Sequence, residues 1–240
     1  MTVSKRIIDC VSLLLTSLTM ATTCLASDPN QLTEVESKWL DAADPVLSFA
    51  IAQGLPIDVV VRPNFDANQV PFSMGVQGGR CKLILSMRDR ADAEATLTDV
   101  PASQHALMIE AMTAHEVAHC WRYHSGMWNS LPAGFIETRD VTDNESIALK
   151  KQEMRSIQRE EAFADLVALA WTRQQHPTEY ARVHAWLEHV RSDQPVDGGY
   201  HDTRVWLTLA HDAAVFKSTD ILFDGVQEVW VKGLMSLSAQ

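Results

Sequence analysis

Hydrophobic residues recur along the chain with two periods, and the changes of period divide it into predicted helices and strands. Spacing typical of a helix runs from Asp28 to Gln53, where Pro45 is expected to break or offset it. Short β-branched or alternating segments then predict three strands, separated by segments containing Pro or Gly. They are Ile57–Arg62, Val70–Gln77 and Cys81–Met87.

The rest of the chain has mainly helical periodicity, interrupted by a polar segment at 88–100, predicted as a loop or short helix, and by a predicted loop at 131–144. The predicted helices are Ser103–His124, Glu145–Gln175, Pro177–Arg191, Tyr200–Phe216 and Ile221–Ser238. A small N-terminal sheet followed by a run of helices predicts an α+β fold, in which a helical bundle packs beside the sheet.

The predicted helix Ser103–His124 contains a pattern with chemical meaning, because residues 115–119 read His-Glu-Val-Ala-His. Two histidines four apart lie on the same face of a helix, so both imidazoles can reach one zinc ion. The intervening Glu116 can then act as general base on a water molecule activated by the metal. The alternative is an amphipathic helix that carries two histidines by accident.

A catalytic zinc usually has three protein ligands, so a third ligand must come from elsewhere in the chain. A third histidine six residues after His119, with an intervening glycine, is excluded because the chain has Arg122 and Ser125 at those positions. His124 follows His119 by five residues, which rotates it away from the metal face. We therefore expect His124 to be a partly exposed residue at the end of the helix.

A glutamate from the next long helix is the other common third ligand. Glu161 is followed one turn later by Asp165, and small residues nearby would let this helix approach the first. We predict Glu161 as ligand and Asp165 as hydrogen-bond partner of a ligand imidazole, His115 in our interpretation. Glu160 competes for the ligand role but has Ala164 one turn later. Glu161 as an ordinary solvated glutamate is the simpler alternative.

These two motifs resemble those of the gluzincin metallopeptidases, and most closely the M48-like peptidases, which combine His-Glu-x-x-His with a later Glu-x-x-Ala-Asp. The resemblance covers about half of the chain and implies a zincin-like fold that binds one Zn²⁺ per chain. It implies His115, His119 and Glu161 as metal ligands, Glu116 as the general base and Asp165 in contact with a ligand. It also implies that the strand Cys81–Met87 is a sheet edge that binds extended peptide substrate.

A second histidine candidate lies after the glutamate helix. M48-like relatives often carry a histidine followed by an arginine there, and His201 and Arg204 resemble that pair loosely. Peptide hydrolysis requires a donor for the oxyanion that develops on the carbonyl, and His201 or Tyr200 could supply it. We keep His201 as a catalytic candidate, beside the alternative of a surface turn in which Asp202 caps a helix.

The first 26 residues predict a secretory signal peptide. Lys5 and Arg6 precede a mostly apolar stretch, and Ala26 offers a small residue for cleavage before Ser27. We therefore predict a periplasmic or secreted protein whose mature chain, 27–240, is a single domain without a stable membrane span. A lipoprotein signal acylated at Cys24 and an uncleaved N-terminal anchor are the alternatives.

Removal of that segment would leave two cysteines, Cys81 and Cys120. An even number of cysteines in an oxidising compartment is typical of a disulfide, which would join the predicted third strand to the helix of the histidine motif. Two buried thiols that pack as small hydrophobic residues are the alternative.

The formal charge of −11 argues against nucleic acid or an anionic membrane as the main partner. The predicted function is that of a zinc metalloendopeptidase acting on a peptide or protein substrate. The alternative is a non-catalytic or chaperone-like peptide-binding protein on a metallopeptidase scaffold. The presence of Glu116 favours the enzyme, because a binding scaffold has no need of a general base.

Overall fold

A computed structural model of the chain describes residues 31–62, 70–135, 144–192, 199–216 and 222–238. Within them the fold is mixed α and β, with six helices and one small sheet. From Leu32 onward the chain forms one compact unit. The predicted signal peptide, Met1–Ala26, lies outside the described residues. No helix in the described part of the chain is both long and apolar enough to cross a membrane.

The sheet contains three strands in the order β1-β3-β2. They are β1 (Ile57–Val61), β2 (Phe72–Gln77) and β3 (Arg80–Leu85), close to the predicted positions. β2 and β3 form an antiparallel hairpin, whose turn at Gly78 and Gly79 has positive φ angles that favour glycine. β1 pairs with β3 in parallel.

The edge role expected for Cys81–Met87 is wrong, because β3 is the central strand and is paired on both sides. Its alternate residues Cys81, Leu83 and Leu85 are fully buried. The alternation of apolar residues in this segment thus reflects burial in the middle of the sheet. The edge strand nearest the histidine motif is β2, whose Met74 backbone N–H donates a hydrogen bond to Glu116.

The helices are α1 (Glu34–Ala52), α2 (His105–His124), α3 (Glu145–Gln175), α4 (Tyr180–Ser192), α5 (Arg204–Leu209) and α6 (Leu222–Ser238). α3 begins and ends at the predicted residues. The helix predicted over Tyr200–Phe216 is much shorter, because after Leu209 the chain turns into a 3-10 segment, Ala213–Val215. Asp212 favours that turn by accepting a hydrogen bond from the backbone N–H of Ala214.

Two details of α1 differ from the prediction. It begins at Glu34 rather than Asp28, since Thr33 and Glu36 form a capping box with reciprocal side-chain to backbone hydrogen bonds of 3.2 and 2.7 Å. Pro45 lies inside the helix without ending it. The residues on both sides of this proline that face the core are buried, and their packing offsets the backbone hydrogen bond that proline cannot make.

The core that carries the candidate site forms where α2 packs against α3. Alanines on both helices are fully buried, which lets the two backbones approach closely: Ala111, Ala114 and Ala118 on α2, and Ala162, Ala164 and Ala168 on α3. A disulfide between Cys81 and Cys120 joins β3 to α2 one residue beyond His119. The sheet and the histidine-bearing helix are therefore covalently linked.

Gly233 of α6 lies against the indole of Trp206 on α5, and we expect Gly233→Ala to destabilise the fold. A Cβ atom at Gly233 would lie 2.1 Å from Trp206 Nε1, which itself donates to the Trp230 carbonyl. Alanine normally favours a helix by about 1 kcal/mol over glycine, but overpacking of a core typically costs about 1–3 kcal/mol.

Urea denaturation should therefore show a loss of unfolding free energy for Gly233→Ala. Ser236→Ala, at an exposed position of the same helix, is the control and should leave stability unchanged or slightly raised. Equal stability of Gly233→Ala and the parent protein would contradict the close approach of α5 and α6.

Candidate metal centre

Helices α2 and α3 bring three potential metal ligands together. His115 and His119 lie one turn apart on α2, and Glu161 faces them from α3. The two imidazole Nε2 atoms are 3.2 Å apart. Glu161 places one carboxylate oxygen 3.4 Å from Nε2 of His115 and the other 3.5 Å from Nε2 of His119. The structure thus assembles the three residues that the sequence singled out as ligands.

These distances fit a tetrahedral metal site. Nitrogen and oxygen ligands lie about 2.0–2.1 Å from zinc, so two ligand atoms at corners of a tetrahedron are about 3.3 Å apart. The two imidazole nitrogens lie close to that separation, and the Glu161 carboxylate approaches each of them to a similar distance through a different oxygen. Three protein ligands leave one corner of the tetrahedron for another group, as in catalytic zinc sites.

Asp165, one turn after Glu161, is fully buried and accepts four hydrogen bonds. His115 Nδ1 lies 2.9 Å from Oδ1 of Asp165, so Nδ1 can donate its proton to this carboxylate while Nε2 faces Glu161 and His119. The guanidinium of Arg191 donates to both oxygens of this carboxylate, at 2.7 and 2.8 Å. Thr203 donates its hydroxyl to Oδ2 at 2.6 Å.

The sequence did not predict Arg191 and Thr203 as partners of Asp165. Arg191 comes from α4 and Thr203 from the residue before α5, so neither shares a local motif with Asp165. Arg191 also lies 3.4 Å from Glu161 and so contacts both acidic residues of the second motif. Neighbouring residues carry no signal for these two contacts, because each joins Asp165 to a segment distant from it in the chain.

The pKa values show that the site favours positive charge. Burial alone would lower the pKa of His115, but Asp165 and Glu161 raise it to about 10. Burial would raise the pKa of Glu161, but His115 and the neighbouring cations lower it to about 2. For Asp165, likewise, Arg191 and His115 overcome burial and keep the pKa well below its usual range.

His119 behaves differently from His115. Burial, together with repulsion by a charged His115, lowers the pKa of His119 to about 4. With neutral imidazoles, the three carboxylates of Glu116, Glu161 and Asp165 against the single guanidinium of Arg191 leave a formal charge of −2. A divalent cation bound between the imidazoles would balance that charge.

Glu116 lies beside the ligand set and is held by the sheet. The backbone N–H of Met74 in β2 donates to its carboxylate at 2.6 Å. Burial raises the pKa of Glu116 to about 7, although His115 and this hydrogen bond oppose the rise. The residue that the motif suggested as general base therefore lies between the histidines and the edge strand.

The other sequence candidates occupy distinct places. His201 Nε2 lies 3.7 Å from Glu161, and its side chain is 49% exposed, so it borders the site from the solvent side. Tyr200 is exposed. Glu160 is buried and paired with Arg122 at 2.7 and 2.9 Å, which accounts for its carboxylate without a metal. His124 is exposed at the end of α2, as expected.

His124 also lies near Cys81 and Cys120, a second group with ligand-type side chains. The two cysteines are joined in a disulfide, and zinc binds cysteine as the thiolate. We therefore regard only the group formed by His115, His119 and Glu161 as a candidate metal centre among the described residues.

A cavity of about 1140 Å³ opens over this centre. Glu116, Glu161 and His201 lie in its wall, together with residues of β2 such as Phe72 and Met74. Such a volume exceeds what a metal ion needs and lies slightly above the range of about 300–1,000 Å³ typical of ligand-binding clefts. The arrangement can therefore bring a sizeable ligand into contact with both the candidate ligands and Glu116.

We expect Asp165→Asn to weaken zinc binding without removing a ligand. The amide cannot match the carboxylate as an acceptor from His115, and it leaves Arg191 with only the more distant Glu161, at 3.4 Å, as a charge partner. Loss of such an orienting group typically lowers metal affinity about 10- to 100-fold. Competition with a fluorescent zinc chelator would measure the change.

Asp212→Asn, at an exposed position outside the cavity, is the control for this substitution. An unchanged zinc affinity in folded Asp165→Asn would contradict the role of Asp165 in orienting His115.

Comparison of the chain with protein-family models, with curated proteins and with solved structures found no match.

Proposed function

We propose that this protein is a zinc-dependent endopeptidase of the gluzincin type, similar to the M48-like peptidases. The observation that carries the proposal is the convergence of His115, His119 and Glu161 at distances suited to one tetrahedral zinc, with Glu116 beside them. When bound, zinc would supply a Lewis acid that lowers the pKa of water and polarises a peptide carbonyl.

The chain's own residues have separate tasks in this proposal. Glu116 accepts a proton from the attacking water and passes it to the amine that leaves, and Met74 N–H keeps its carboxylate oriented. Asp165 and Arg191 keep His115 in one tautomer and hold Glu161 close to it. In this proposal His201, whose Nε2 lies 3.7 Å from Glu161 on its solvent side, donates to the oxyanion.

The edge strand β2 supports a peptide as substrate. It has no strand partner on its outer side among the described residues. In an antiparallel pair, alternate residues direct their backbone groups away from the partner strand, as Met74 does toward Glu116. An extended peptide lying along β2 would therefore place its backbone beside the general base. This assigns to β2 the role that the sequence suggested for Cys81–Met87.

Secretion to the periplasm or the cell exterior belongs to the same proposal. The signal-like sequence of Met1–Ala26 suggests it. The disulfide between Cys81 and Cys120 supports it, because such bonds persist mainly in oxidising compartments.

The test is hydrolysis of an unfolded protein by the mature chain, residues 27–240. Purified protein is loaded with one zinc equivalent and incubated with reduced, alkylated casein, and new termini are identified by mass spectrometry. We expect internal cleavages that stop on addition of a chelator and return with zinc. A protein that holds one zinc per chain yet produces no new termini would refute the peptidase, and the peptide-binding alternative would replace it.

A further inference from the structure

Three exposed apolar side chains line the cavity away from β2. Trp128 follows the end of α2, and Leu149 and Ile157 lie in the first half of α3. The indole of Trp128 packs edge-to-face on His119, with ring centroids 5.8 Å apart. Its side chain is nevertheless 43% exposed. Part of the ring thus contacts a candidate ligand while the rest is available to a molecule in the cavity.

The loop that carries Trp128 is anchored to a buried ion pair. Glu160 of α3 accepts from the backbone N–H of Asn129 at 2.9 Å, and Arg122 of α2 donates to the carbonyl of Ser130 at 3.3 Å. Arg122 and Glu160 bind each other through two hydrogen bonds. The backbone groups directly after Trp128 are therefore fixed to the core.

This ion pair is held firmly in the core. The guanidinium of Arg122 lies 5.0 Å from the ring centre of Phe163 and 4.6 Å from that of Trp230. Both members of the pair are buried, so removing one charge would leave the other uncompensated. Asn129 adopts a positive φ of 58°, a conformation that asparagine tolerates better than most residues. The backbone directly after Trp128 is thus held to the core in a conformation that asparagine accommodates.

We infer that Trp128 is a specificity-determining residue, which forms with Leu149 and Ile157 a subsite for a bulky apolar side chain of an extended peptide. We further infer that Glu160 is a positioning residue that acts through Trp128. The subsite deepens the proposed function and rests on it for the identity of the ligand as a peptide. A rigid aromatic wall favours apolar partners because it offers a large area at little cost in conformational entropy.

The experiment measures peptide binding rather than turnover. Fluorescein-labelled peptides of one length, differing only in a central Phe, Leu or Ser, are titrated against zinc-loaded Glu116→Gln protein by fluorescence anisotropy. In that background, Trp128→Ala should weaken binding of the Phe and Leu peptides about tenfold and leave the Ser peptide unchanged. Trp128→Phe should restore most of the preference. Zinc content is measured for each variant.

Tyr123→Ala is the matched control, because Tyr123 is also 43% exposed but does not line the cavity. It should leave all three affinities unchanged. Equal weakening of all peptides by Trp128→Ala, no weakening, or absence of binding by any peptide would overturn the inference. If binding depends on Trp128 as expected but wild-type protein cleaves none of the peptides, the subsite stands and the proposed peptidase activity fails.

The role of Glu160 is tested by a double-mutant cycle. Glu160→Gln should reduce the preference for Phe over Ser when Trp128 is present and should have no further effect on it in Trp128→Ala. A reduction of the same size in both backgrounds would overturn the positioning role. If Glu160→Gln does not fold, Asn129→Ala at the exposed, positive-φ position replaces it, since alanine tolerates that conformation poorly.

Discussion

Glu116→Gln should lower the rate of peptide hydrolysis by several orders of magnitude while leaving the fold and the zinc content intact. The amide has nearly the shape of the carboxylate, and its oxygen can still accept the hydrogen bond from Met74 N–H. It cannot accept a proton from water. General acid–base catalysis contributes about 10²- to 10⁴-fold, so we expect a loss of that order in kcat. Initial rates on a fluorogenic peptide, with zinc measured by mass spectrometry, would record it.

The same substitution at an exposed position provides the control. Glu188→Gln on α4 alters a glutamate that does not line the cavity, and it should retain full activity. Full activity in Glu116→Gln, at one zinc per chain, would remove Glu116 from the mechanism. Loss of both activity and zinc would show instead that Glu116 supports metal binding.

The second large effect that we expect is the loss of bound metal in His119→Ala. This substitution deletes one of three ligands, and the remaining His115 and Glu161 cannot complete a tetrahedral site. The affinity for zinc should fall by more than about 100-fold, the upper limit typical of losing only a hydrogen-bond partner of a ligand. After equal dialysis, zinc content should drop from about one per chain to a small fraction. Glu161→Ala should act in the same direction.

His124→Ala is a matched control, because this histidine lies on the same helix, is exposed and is turned away from the centre. It should keep its zinc. If His119→Ala retained stoichiometric zinc, the candidate centre would not be the binding site. If only Glu161→Ala retained it, the two histidines would stand and the third ligand would have to be sought elsewhere, with His201 the nearest exposed candidate.

Local periodicity allowed much of the fold to be predicted. The limits of α3 agree with the sequence, since Asn144 caps its start and Pro177 follows its end. All three strands lie within the predicted segments or one residue outside them. The predicted helix ends were wrong where a single contact decides them. At Thr33 and Glu36, for example, the capping box starts α1 later than the hydrophobic pattern predicts.

The candidate centre was also predictable in part from local periodicity. His115 and His119 share a face because a helix repeats every 3.6 residues, and Glu161 and Asp165 share one likewise. The sequence could therefore propose each pair by itself. That the two faces meet at tetrahedral distances depends on the packing of α2 on α3.

The sequence by itself determined the helices, the three strands and the motif that suggests zinc chemistry, because these follow from the order of neighbouring residues. Tertiary structure decided for the disulfide between Cys81 and Cys120 over two free thiols. It alone showed that β2 rather than β3 lies at the sheet edge and that Arg191 holds Asp165. Each of those contacts joins residues far apart in the chain. Their formation depends on how whole elements pack, which no local period encodes.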